Sequence, residues 1–110
     1  MGFLVLCSLT VVSAAGQSAS SLLEEGERLQ RTGDKTQQRQ ALDKFRAAAA
    51  EAKGDLAAQG RALYRLGQTY LFLGEEREAI GPLTESLGIA RQRGDAAAEG
   101  FALHNLGVAH

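Results

Sequence analysis

The sequence has no tryptophan, one cysteine and one proline, Pro82. Cys7 has no second cysteine to pair with, so an internal disulfide and a cysteine-based metal site are both excluded. Val, Ile and Thr are scarce after residue 15, which argues against a sheet. Charge of one sign is lacking too. The formal net charge is -1, which gives no reason to expect nucleic acid or an acidic membrane as a partner. The chain also lacks a long apolar run. Its longest spans Phe3 to Val12, whereas a membrane-crossing helix needs about 20 residues. What remains is rich in Ala, Leu, Glu, Arg and Gln, all good helix formers.

The first twenty residues, MGFLVLCSLTVVSAAGQSAS, carry no charged side chain. Small residues (Ser13, Ala14, Ala15, Gly16) follow the apolar run. The segment 1–19 resembles a secretory signal peptide with cleavage near Ala14, Ala15 or Ala19, although no Lys or Arg precedes the run. A lipoprotein anchor does not fit, because Leu6 precedes Cys7 and the cysteine comes too early. The expected location is therefore periplasmic or extracellular, with no membrane contact by the mature segment. If the leader is not one, the location is cytoplasmic.

The rest of the chain repeats itself. KGDLAAQGRALYRLG, from Lys53 to Gly67, and RGDAAAEGFALHNLG, from Arg93 to Gly107, match at nine of fifteen positions, forty residues apart. A fixed period of twenty to fifty residues is the signature of a repeat architecture. Leu63, Leu66 and Tyr70 fall on one helical face, and Ala79, Ile80, Leu83 and Leu87 on another. Leu103 and Leu106 restart the first pattern. Gly33-Asp34, Gly54-Asp55, Gly74-Glu75 and Gly94-Asp95 recur at intervals of 21, 20 and 20. Gly ends a helix in the left-handed conformation, and Asp caps the next one. These signs predict helices over 19–32, 36–53, 56–73, 76–93 and 96–110.

The string ALYRLGQTYLFLGEEREAIGPLTESLGIA resembles a tetratricopeptide repeat. Leu66-Gly67 matches the family's Leu-Gly pair, Tyr70 the aromatic that follows, and Gly74 the turn. Ala79 and Leu83 match the small and large core positions of the second helix. Ser86 stands where the family usually has Ala, and the usual Pro at the repeat end is absent. The forty-residue version is similar to repeats of bacterial CHAT-protease-associated proteins and of animal polarity scaffolds. The resemblance implies an all-α fold in which antiparallel helix hairpins stack as a tetratricopeptide-like α-solenoid of about two and a half repeats. A degenerate first repeat spans 20–55, a second spans 56–95, and the first helix of a third spans 96–110. The Gly67 and Gly107 positions imply close approach of a neighbouring helix. Each otherwise costs about 1 kcal/mol in helix propensity against Ala.

No catalytic set stands out, so an enzyme is not expected, nor is a cofactor. His104 and His110 are six residues apart and fall on different helix faces, unlike metal ligands on one helix. His110 occupies the Tyr70 position of the repeat and is expected to pack. Glu24, Glu25 and Glu27 read as the first turns of a helix. Arg93-Gly94-Asp95 reads as a helix stop and start rather than an adhesion motif.

Binding is left. In the family the first helix of each repeat lines a concave groove. That implies exposed groove positions at Leu23, Glu24, Glu27, Arg61, Tyr64, Arg65, Gln68, Phe101, His104, Asn105 and Val108. Arg61 and Arg65 lie one turn apart and suit a carboxylate. The competing reading pairs them with Glu24 or Glu27 of the neighbouring helix. The Lys and Asn of the family's chaperone-tail clamp are replaced by Leu23 and Glu27, which argues against that ligand.

The expected function is a protein-interaction scaffold of an exported, bacterial protein, holding a peptide or protein ligand. The alternatives are a recognition arm of a larger CHAT-type cysteine-protease-like protein and the sensor region of a signalling protein. The sequence stops within a first helix, so an N-terminal fragment or truncated product is expected. Self-association through the open Leu103/Leu106 face is a further expectation.

Overall fold

The computed structural model describes residues 17–110. The leader segment, with its candidate cleavage sites at Ala14 and Ala15 and with Cys7, falls in 1–16, outside the described residues. Five helices follow in order: α1 (Ala19–Gln30), α2 (Lys35–Glu51), α3 (Leu56–Phe72), α4 (Glu76–Arg93) and α5 (Ala96–Ala109). No strand occurs among the described residues. α1, α2 and α3 end one to two residues earlier than the periodicity predicts, because their last turns relax into the connecting turns, and α5 ends at Ala109 with His110 as its cap.

The start and stop signs work through local hydrogen bonds. The Asp34 carboxylate accepts from the Thr36 amide at 2.7 Å, Asp55 from Ala58 at 3.1 Å and Asp95 from Ala98 at 3.0 Å. Each satisfies an amide that a new helix leaves without a partner. Ser18 does the same for α1 by accepting from Ser21 at 3.1 Å. Glu75 makes no such cap. Its amide instead donates to the Tyr70 carbonyl at 2.9 Å while Gly74 donates to Leu71 at 3.0 Å, which closes α3. The Glu75 side chain pairs with Arg39 of α2. Gly94 closes α4 in the same way at φ 69, a conformation an L side chain resists. Pro82 lies inside α4 and removes one intrahelical bond, that to the Glu78 carbonyl.

Each helix packs most extensively on a neighbour in the chain, α1 with α2 and α3 with α4, so the chain forms consecutive helix pairs stacked side by side. α1 also touches α3, and α3 touches α5. This is an all-α helical repeat arrangement. Leu22, Leu23, Ala41, Leu42, Phe45, Ala48, Ala62, Leu66, Tyr70, Ala79 and Leu83 form one continuous core. Within each hairpin a glycine of the first helix receives a large side chain of the second. Gly26 lies under Phe45 and Gly67 under Leu83.

α5 repeats the sequence of α3 but not its burial. Leu63 is 7% exposed and its counterpart Leu103 is 46% exposed. Leu106 is half-buried, and nothing lies within 4 Å of where a Gly107 Cβ would stand. His110 is exposed, unlike the buried Tyr70 that it echoes. Among the described residues no helix stands to α5 as α4 stands to α3, so these packing positions lie open. No helix of the described residues is long and apolar enough to cross a membrane.

Candidate binding cleft

α3 presents Ala57, Gly60, Arg61, Tyr64 and Arg65 along one stripe, since residues three and four apart share a helix face. These side chains border a cleft of about 450 Å³. Ser86, Ile89, Ala90 and Arg93, from the second half of α4, complete one wall. Asp95, Ala98 and Phe101 of the following turn and α5 form the other. A small residue lets α4 approach α3 closely beside this space. A Cβ on Gly60 would stand 3.0 Å from Ile89 Cγ2. The Ser86 hydroxyl donates to the Gly60 carbonyl at 3.1 Å, which ties α4 to α3 at the cleft floor.

The cleft carries an aromatic pair and a cationic rim. The Tyr64 and Phe101 rings lie 6.2 Å apart at 46°. The Arg65 guanidinium stands 5.9 Å from the centre of the Tyr64 ring, within cation–π range. Phe101 is 59% exposed, a large apolar surface for one side chain. At the mouth, Arg93 pairs with Asp95 at 3.1 Å. The Ala98 amide, and then Arg93, hold the Asp95 carboxyl below the usual aspartate range.

Behind the rim, Glu27 of α1 holds both α3 arginines. Arg61 donates through Nε at 2.9 Å and Nη2 at 2.7 Å. Arg65 donates through Nε at 3.0 Å. Arg65 Nη1 also donates to Gln68 Oε1 at 3.0 Å, and the same oxygen accepts from Gln30 at 3.0 Å. Two guanidinium groups thus share one carboxylate.

Of the groove residues expected from sequence, Arg61, Tyr64, Arg65 and Phe101 meet in this cleft. Gln68 borders a shallower hollow of about 300 Å³ with Gln30, Arg31, Gln38, Arg65 and Phe72. His104 is exposed and Asn105 half-buried, and neither reaches the cleft. Leu23 and Glu27 are not exposed groove positions but buried ones. α3 lies on α1 there, with Leu23 in the shared core and Glu27 under two arginines. The spacing of α3 did not reveal Ser86, Ile89 or Arg93, because they come from the end of the second helix. The signal available for them was Gly60, a small residue that lets α4 approach.

Among the described residues no three His, Cys, Asp or Glu side chains gather to hold a metal ion. Neither a protein-family model nor a curated protein matches this chain.

Proposed function

We propose that this chain is a protein-interaction module of tetratricopeptide type in an exported protein, and that it holds a short segment of a partner in the α3–α4–α5 cleft. The observation that carries this reading is the cleft itself. It joins about 450 Å³ of space to an exposed aromatic pair and a charged rim. Pockets of this size with an apolar lining and few polar groups are where proteins take ligands. Interfaces likewise favour aromatic side chains and arginine.

The forty-residue echo supports the family reading. So do Gly26 under Phe45 and Gly67 under Leu83, since the same small-to-large contact recurs in both hairpins.

The test is selection of peptides from a random display library on the whole chain, counter-selected on the Tyr64→Ala/Phe101→Ala double variant. The reading expects a recurring motif whose binding the double variant abolishes while its helical content stays unchanged. Failure to enrich any motif, or a motif that binds the double variant equally well, overturns it.

A further inference from the structure

We infer that the open face of α5 is a docking site for an amphipathic helix of a partner protein, one that carries an alanine and, four residues later, a large apolar side chain. This face is separate from the cleft, since Leu103, Leu106 and Gly107 do not border the latter. The argument starts from the echo. Gly60, Leu63, Leu66 and Gly67 of α3 recur as Gly100, Leu103, Leu106 and Gly107 of α5. On α3 both glycines meet α4. A Cβ would stand 3.0 Å from Ile89 at Gly60 and 2.5 Å from Leu83 at Gly67. On α5 nothing lies within 4 Å of either position. Ala62 and Ala102 are both fully buried, so that position is covered in both copies. The four other helices all pack on α3, whereas α5 meets only α3 and α4 among the described residues. Each glycine costs about 1 kcal/mol of helix propensity against alanine. On α3 the close approach of α4 requires that cost, and on α5 a helix seated in the same way requires it. α5 also bears a single charged side chain, Glu99, and a helix apolar nearly all round is one that neighbours cover.

The chain itself shows what covers such a face. α2 lays Phe45 over Gly26, and α4 lays Leu83 over Gly67. Each large residue follows an alanine four positions earlier, Ala41 and Ala79, and all four side chains are fully buried. The alanine lets the backbones come close. The Ala79 carbonyl oxygen would lie 3.3 Å from a Gly67 Cβ. A small buried residue, Ala48 or Ser86, follows three positions after the large one. Positions i, i+4 and i+7 share one helix face, so both covering helices present the same small–large–small stripe. The occupant of α5 is a helix of this type, held as an amphipathic helix is held in an apolar groove. A second folded copy does not supply it, because Ala41, Phe45, Ala79 and Leu83 are already buried within that copy.

The experiment titrates a labelled, end-blocked peptide of the α4 sequence, Glu76 to Arg93, with the whole chain and reads fluorescence anisotropy. Gly81→Ala, Pro82→Ala and Gly88→Ala in the peptide raise its own helicity. Gly81 and Gly88 are exposed in α4, with nothing within 4 Å of an added Cβ. A second peptide carries Leu83→Asp in addition. The first is expected to bind saturably and the second at least tenfold more weakly, because docking buries its unpaired charge. In the chain, Gly107→Leu fills the place that the partner's large side chain must take. No neighbour crowds that place, so the variant is expected to keep the parent's circular dichroism while binding the first peptide at least tenfold more weakly. The Tyr64→Ala/Phe101→Ala variant is expected to bind this peptide as the parent does, so docking on α5 and capture in the cleft fail separately. Absence of binding by the first peptide overturns the inference. Equal binding by the parent and the Gly107→Leu chain overturns it as well, since the peptide then replaces α4 on α3. Sedimentation that shows the chain pairing with itself, with the pairing lost in Gly107→Leu, also overturns it, because a second copy then covers α5.

Discussion

Gly67 lies so close beneath Leu83 that a Cβ on it would stand 2.5 Å from Leu83 Cγ and 3.3 Å from the Ala79 carbonyl oxygen. Leu83 is fully buried and the carbonyl belongs to backbone, so neither can yield cheaply. The contact sets the distance between α3 and α4, and hence the width of the cleft they wall.

Gly67→Ala therefore sets two effects against each other. Helix propensity favours Ala by about 1 kcal/mol. Overpacking costs about 1–3 kcal/mol. Packing wins, and the variant is expected to unfold at lower urea than the parent. Gly88→Ala is the control. Gly88 is exposed in α4 with nothing within 4 Å of an added Cβ, so only the propensity gain remains. Urea midpoints that move in opposite directions verify the contact, and a stabilised Gly67→Ala refutes it.

Glu27 governs a second relationship. Its side chain is 11% exposed, Arg65 33% and Arg61 57%. Removing the carboxylate leaves two arginines facing each other across a half-buried site. Solvent screens Arg61, so the loss is below that of a fully buried pair. Glu27→Ala is expected to cost about 1–2 kcal/mol, against less than about 1 kcal/mol for Glu99→Ala at the exposed Arg91–Glu99 pair. A double-mutant cycle over Glu27 and Arg65 is expected to give a coupling larger than one over Arg91 and Glu99.

Two carboxylates, Asp95 at the start of α5 and Glu25 within α1, make stability depend on pH. The Ala98 amide, and then Arg93, lower the Asp95 pKa. Gln17, and then Lys44, lower that of Glu25. A carboxylate with a lowered folded pKa favours the folded state fully above its unfolded pKa, and that advantage is lost as pH falls through the folded value. Thermal stability is expected to be flat at neutral pH and to decline from about pH 4 downward. Asp95→Asn keeps a capping oxygen without a titration, so it flattens that decline and gives up at pH 7 the advantage that the charged carboxylate held. An unchanged acid profile in this variant would show that Asp95 does not contribute.

Because the chain has no tryptophan, Phe101→Trp introduces a single tryptophan at the cleft, whose emission is excited selectively over the two tyrosines at the red edge of the absorption band. Phe101 is more than half exposed, so the free protein is expected to emit as a solvated indole. A segment seated against the aromatic pair shields the Trp ring, and the emission is expected to shift to shorter wavelength on titration with a selected peptide. Binding without any spectral shift would place the ligand elsewhere.

The helices, their caps and the stacking period were legible in the sequence because each depends on residues close in the chain. Gly94 and Asp95 act on neighbours within five positions, and the echo shows them twice. The cleft was half legible. Arg61, Tyr64, Arg65 and Phe101 share positions that the repeat marks, but Ile89 and Arg93 reach the cleft only through the packing of α4 on α3 and α5. The pairing of Glu27 with Arg61 and Arg65 was legible as one of two readings, but its burial was not, because helical spacing alone places an acidic residue on a solvated face. Leu23 failed for the same reason, since it lies in the core that α1 shares with α2 and α3.

The echo itself offers the last comparison. Leu63 and Leu103 are the same residue at the same repeat position, yet one is buried and the other almost half exposed. Leu63→Ala is expected to cost about 2–4 kcal/mol through lost burial and a cavity. Leu103→Ala is expected to cost less than about 1 kcal/mol, since nearly half of that side chain already faces solvent. The difference depends on the α5 face being open in solution. A second copy pairing through Leu103 and Leu106 would bury that leucine and raise its cost, and would do so more strongly at higher protein concentration. Denaturation of the Leu103→Ala variant and its parent at two concentrations a hundredfold apart separates the cases. A concentration-independent, small difference means a monomer with an open face. A difference that grows with concentration means self-association through α5.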